Sequence, residues 1–89
     1  MLQESDLKPG RVYSAKKPQI DWSGLLNDRQ ILWIGQDYTK DGIKTCVQYD
    51  SPTVSPGRKY PTITAEKFLK WAAEDVTDQM PKGEWRTNA

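Results

Sequence analysis

The sequence contains no histidine and a single cysteine, Cys46. Without imidazole, serine triads and Cys-His nucleophile pairs are excluded, and so is histidine ligation of a metal. One thiol can neither close an intrachain disulfide nor build a thiolate zinc site, and it suits a reducing compartment. No apolar run approaches the roughly 20 residues of a spanning helix, so no membrane is expected as a partner. There is no Gly-rich phosphate loop of the GxxxxGK kind, no internal repeat and no low-complexity tract. The opening MLQESDLKPG has neither the basic nor the apolar region of a signal peptide. A cytoplasmic protein without cofactor or metal is the expectation.

An excess of charge is also lacking. Thirteen Lys and Arg stand against twelve Asp and Glu, a net charge of +1, so no bulk pull toward nucleic acid or membrane is expected. The distribution is less even. Leu7 to Ile20 carries Lys8, Arg11, Lys16 and Lys17 and no acid, and Ser51 to Lys70 carries Arg58, Lys59, Lys67 and Lys70 against Glu66 alone.

What the chain does have is aromatic mass: four Trp, four Tyr and one Phe in 89 residues. A chain this short buries only about 60% of its unfolded surface, so a few large rings must supply much of its core. The organisation expected is a polar lead-in over 1–6, one globular domain over 7–78 and an irregular tail over 79–89.

LKPGRVYSA reads as a Pro-Gly turn followed by a strand from Arg11 to Ala15. KKPQIDWSGLLND, with Pro18, Gly24 and bulky Ile20, Trp22, Leu25 and Leu26, reads as a long loop that tucks its apolar residues under the core. RQILWIGQD predicts a central strand from Arg29 to about Gln36, with Ile31 and Trp33 on one face and Leu32 and Ile34 on the other. Apolar on both sides, it is expected to be covered above and below, with Trp33 in the core. Asp41-Gly42 is a hairpin signal joining it to TCVQYD. KYPTI predicts a short edge strand, since Pro61 lacks a ladder donor. Thr64 is placed to cap a helix from Ala65 to about Val76, with Ala65, Phe68, Leu69, Ala72 and Val76 on one stripe. The fold class expected is α+β: a small bent antiparallel sheet of four to five strands with one C-terminal helix packed on it.

Two sets of contact residues follow. Trp22, Trp71 and Trp85, with Lys67 beside Trp71, are candidate anchors for another protein, since exposed Trp near a cation is typical of interfaces; the competing reading makes them lids over a small core. Arg58, Lys59 and Tyr60, presented by the SPG turn at Pro56-Gly57, form with Arg11, Lys16 and Lys17 a candidate nucleic-acid set that would hold phosphate and stack a base. The competing reading is a proline-stiffened solvent loop. Asp21, Asp28, Asp37, Asp41 and Asp50 could pair as catalytic carboxylates, but Asp beside Asn or Gly is ordinary turn chemistry, and no enzyme is expected.

Taken in order, LKPGRVY, RQILWI, VQYDSP, GRKYPTIT and EKFLKWA resemble small bacterial domains of uncharacterised function with an SH3-like barrel, over residues 7–73. The resemblance implies recognition of peptide or nucleic acid by loop residues rather than catalysis. The chain is also similar in style to accessory proteins of phages and plasmids, some of which block host defence enzymes by binding them. The function expected is a non-catalytic binding module, an inhibitor or adaptor acting on another protein; the alternative is a nucleic-acid-binding protein.

Overall fold

The computed structural model describes residues 2–55, 57–81 and 85–87. A short 3-10 turn, Glu4–Asp6, precedes strand β1 (Val12–Ala15); β2 (Arg29–Thr39) and β3 (Gly42–Asp50) follow, then β4 (Thr62–Thr64), helix α1 (Ala65–Trp71), β5 (Ala72–Asp75) and a 3-10 turn, Thr77–Gln79. The five strands form one antiparallel sheet in the order β4-β3-β2-β1-β5. The α+β class, with a five-stranded sheet and a C-terminal helix packed on it, is as expected.

The SH3-like barrel is not. β4 and β5 are the two edges of the sheet and no ladder joins them. α1 runs from the last residue of β4 to the first of β5 without a loop. A helix therefore occupies the position where closure would need strand pairing, and the sheet stays open.

The helix also ends sooner than its stripe suggested. Thr64 caps it as expected, its hydroxyl accepting from the Lys67 amide at 3.2 Å, but Ala72 is already extended, with φ −79° and ψ 137°. Ala72 pairs with Ala15, and the Val76 amide donates to the Val12 carbonyl at 2.8 Å. Ala72 and Val76 are both buried, and their spacing of four fits one helical turn and two strand repeats equally well.

β2 corrects a second expectation. Its register with β3 passes from Ile31↔Tyr49 to Trp33↔Gln48, so Leu32 is an extra residue, a β-bulge. One inserted residue reverses the alternation of everything after it. Ile31 stays in the core and Ile34, opposite Val47, joins its edge, while Trp33 turns to the other face and is 42% exposed. That face is uncovered at Leu32 and Trp33, so β2 is central but not covered on both sides. The Trp33 indole folds along its own strand over Gly35, where a Cβ would lie 2.5 Å from the ring; only glycine leaves room for it.

The core lies between the sheet and α1. Tyr13, Ile31, Val47 and Tyr49 from the strands meet Ala65 and Phe68 from the helix, with Leu7 and Ala72 completing the cluster. Phe68 stands edge-on to Tyr13 at 5.5 Å between ring centroids and to Tyr49 at 6.2 Å. The buried Tyr13 hydroxyl is satisfied: it donates to the Asp6 carbonyl at 2.7 Å and accepts from the Lys8 amide at 3.1 Å. Burial pushes its phenol pKa up.

Phe68→Ala is expected to cost about 3–5 kcal/mol, much of a small domain's stability. Trp33→Ala, on the open face, should cost about 1 kcal/mol or less. Denaturant titration of both variants checks this; equal losses would put Trp33 back in the core.

Candidate functional site

The connection between β1 and β2 is a built structure rather than a slack loop. The Asn27 amide donates to the Gln19 carbonyl and the Gln19 amide to Asn27 Oδ1, each at 3.0 Å, and Ile20 bridges to Leu26. At the tip, the Asp21 amide donates to the Leu25 carbonyl and the Gly24 amide to the Asp21 carbonyl, both at 3.0 Å. Asp21 Oδ1 accepts from the Ser23 hydroxyl at 2.7 Å, the Ser23 amide at 2.9 Å and the Leu25 amide at 3.0 Å. The Ser23 hydroxyl, with these amides, holds the Asp21 carboxyl below its ordinary range. Trp22 sits on this braced turn and is 99% exposed, and Ile20 is exposed too. The loop therefore does not tuck these two under the core as expected: its own hydrogen bonds hold it in shape without burying them. Of the three candidate tryptophans, it is the one presented wholly to solvent.

The tail supports the same loop. The Leu26 amide donates to the Arg86 carbonyl at 3.0 Å and Leu25 bridges to Thr87. Arg86 grips Asp28 with two bonds, Nε to Oδ2 at 2.7 Å and Nη2 to Oδ1 at 2.9 Å. Asp28 is fully buried, and the bond to it raises the Arg86 pKa. Fifty-eight positions separate the partners, so no local pattern could have revealed the pair. Trp85 is half-buried and walls a groove of 370 Å³ with Gly10, Val12, Gln30, Asp50 and Met80.

Trp71 is a partly buried ring, 5.2 Å from Phe68. The cation on it is Arg29, not Lys67. Arg29 Cζ lies 4.1 Å from the Trp71 ring centroid and 4.3 Å from that of Tyr49. Lys67 is exposed on the first turn of α1. Burial lowers the Arg29 pKa. Arg29 was visible in the sequence only as the first residue of a strand, without a signal for this stacking.

The nucleic-acid set is placed differently. Arg11 Nε donates to Asp75 Oδ2 at 2.8 Å, which raises the arginine pKa. Burial alone would raise the Asp75 carboxyl, but hydrogen bonds from Thr77 and Arg11 outweigh it and hold the group low. Lys16 and Lys17 are exposed just past the other end of β1, and Arg58, Lys59 and Tyr60 are exposed in the β3–β4 loop. Gly57 has a φ of 81° and the Arg58 amide donates to the Ser55 carbonyl at 3.1 Å, the closure expected of the SPG turn; Pro56 lies outside the described residues. Among the described residues, no hydrogen bond or ion pair links these three groups.

The aspartates offered as carboxylate pairs are dispersed among local roles. Asp37 accepts from the Tyr38 amide and Asp50 from the Ser51 amide, each at 2.8 Å; the Asp41 amide donates to Thr39 Oγ1 at 3.1 Å in the β2–β3 turn. Among the described residues, no group of three or more Cys, Asp or Glu is disposed to hold a metal, and no helix is long and apolar enough to cross a membrane. Neither a family model, nor a curated protein, nor a solved structure matches the chain.

Arg86→Ala leaves the buried Asp28 charge unpaired and should cost about 3 kcal/mol or more. Hydrogen exchange should speed first at the Leu26 amide; loss spread evenly over the sheet would refute the brace. Acid should act on the tip. The Asp21 pKa is depressed on folding, so its contribution is complete above the unfolded-state value and lost as pH falls through the lower folded one. The Leu25 amide should therefore keep its protection through the ordinary carboxylate range and lose it only below, whereas Asp21→Asn should flatten this profile.

Proposed function

We propose that the protein is a non-catalytic binding module that docks on another protein, an inhibitor or adaptor, with Trp22 as its anchor. The observation that carries this reading is a wholly exposed indole on a turn already fixed by hydrogen bonds. Leaving a ring of this size in water wastes about 4–5 kcal/mol of burial free energy, which insertion into an apolar pocket would recover. The turn is ordered beforehand, so little entropy remains to be lost on docking. Lys16 and Lys17, exposed on the same connection, suit a pocket with an acidic rim.

The nucleic-acid reading has less support. Arg11 is committed to Asp75, and the other cations are divided between two loops. An isolated Trp can stack a base, so the test must separate the two.

Trp22→Ala should leave stability within about 0.5 kcal/mol of the parent and weaken capture of a protein partner from nuclease-treated extract at least about thirtyfold, near 2 kcal/mol. Unchanged capture sinks the anchor. Capture abolished by nuclease, with affinity falling steeply in salt, would favour nucleic acid instead.

A further inference from the structure

Arg29 is the first residue of β2 and lies at the foot of the Trp22 connection. Its guanidinium lies over both the Tyr49 and the Trp71 ring. Stacking of this kind takes up the faces of the group and leaves its edge, where all five N–H donors point. Among the described residues, no carboxylate forms an ion pair with it; the three ion pairs belong to Arg11, Lys70 and Arg86. None of its donors is bonded to a described acceptor, yet no buried side-chain nitrogen or oxygen lacks a partner. The guanidinium nitrogens therefore keep at least some contact with solvent. Arg11, by contrast, donates through Nε to Asp75, and Arg86 donates to Asp28 and Gln79.

We propose that Arg29 is a preset carboxylate-binding site, and that its ligand is an acidic side chain on the protein partner. The rings fix the plane of the guanidinium before the ligand arrives, so a carboxylate can meet its edge with two parallel bonds without first ordering a long side chain. Partial desolvation strengthens those bonds relative to an exposed arginine. The surroundings favour an anion. Among the described residues no carboxylate pairs with the guanidinium, and Lys16, whose amide donates to the Trp71 carbonyl at 2.8 Å, is itself part of a separate groove lined by Glu4 and Glu66. The neighbouring Asp28 is neutralised by Arg86. A single carboxylate suits one guanidinium better than a polyanion does, because the remaining cations of the chain are not gathered here. The inference rests on the protein-binding reading and deepens it by naming the chemistry beside the Trp22 anchor.

The test follows the Arg29 Nε–H resonance in ¹H–¹⁵N spectra during titration with an end-capped peptide carrying one glutamate, inorganic phosphate and a single-stranded oligonucleotide. Saturable movement with the peptide is expected, with Arg29→Lys, which keeps the charge but loses the planar fork, binding about tenfold more weakly. Arg29→Gln should abolish the binding, and Lys16→Ala should leave it within about twofold. Thermal unfolding of each variant reports whether the fold survives; if Arg29→Gln unfolds, the parent titration and Arg29→Lys still decide. No movement at millimolar peptide overturns the proposal, as does tighter binding of the oligonucleotide. Movement with phosphate but not peptide overturns the choice of carboxylate. Loss of partner capture in Trp22→Ala but not in Arg29→Gln would retire this site and leave the protein-binding reading standing.

Discussion

Phe68 meets Tyr13, Tyr49 and Trp71 at centroid distances of 5.5, 6.2 and 5.2 Å, and the larger features of the molecule are hung on that meeting. The ring joins β1 and β3 to the helix, three segments far apart in sequence. With so few residues, the domain cannot assemble a broad aliphatic core; it concentrates burial in rings whose edge-to-face contacts also specify orientation. The helix thus held connects the two edges of the sheet directly. The same rings place Arg29, since Tyr49 and Trp71 are its two contacts and both pack against Phe68. Core and candidate site are one construction seen from two sides.

Bracing of the β1–β2 connection is a second construction, electrostatic rather than apolar. A buried carboxylate is costly unless paired with good geometry, and the two-bond grip of Arg86 on Asp28 provides that geometry. Because either partner alone would leave an uncompensated charge, the tail is bound to the loop more firmly than the single bridge at Leu25↔Thr87 could manage. The loop is consequently fixed at its base by the tail and at its tip by the Asp21 turn, with Trp22 beyond the reach of either.

Local chemistry in the sequence located most of the sheet. The strand of Arg29, the hairpin to Asp50, the edge strand near Pro61 and the Thr64 cap all follow from patterns within a few residues. What escaped depends on distance. Leu32 looks like any strand residue until its register against β3 is known, and the bulge then reverses the side of Trp33. Ala72 and Val76 satisfy helix and strand spacing alike, so pairing with β1 decides. Closure into a barrel was suggested by the order of elements, but order does not say whether the final edges meet. For the candidate site, Trp22 and Lys16 could be picked out by eye as exposed types in a loop. The partners that give them significance, Asp28 with Arg86 and Arg29 with two rings, are nonlocal and leave no spacing signal.

One connection carries both candidate anchors. Lys16 follows the last residue of β1, Arg29 opens β2, and Trp22 lies between them at the tip. On the protein-binding proposal, Arg29 at the foot and an indole at the summit would divide recognition between charge and burial. The charged part would serve orientation and encounter, and the apolar part would supply most of the binding free energy. Such a division makes sense in a domain of net charge +1, which has little long-range field to steer it. Discrimination must then arise at contact, and contact groups discriminate best when their positions are set in advance. The Asp21 turn does this for the indole and the two rings do it for the guanidinium, so on that proposal the same few interactions that stabilise this small fold would also limit what it binds.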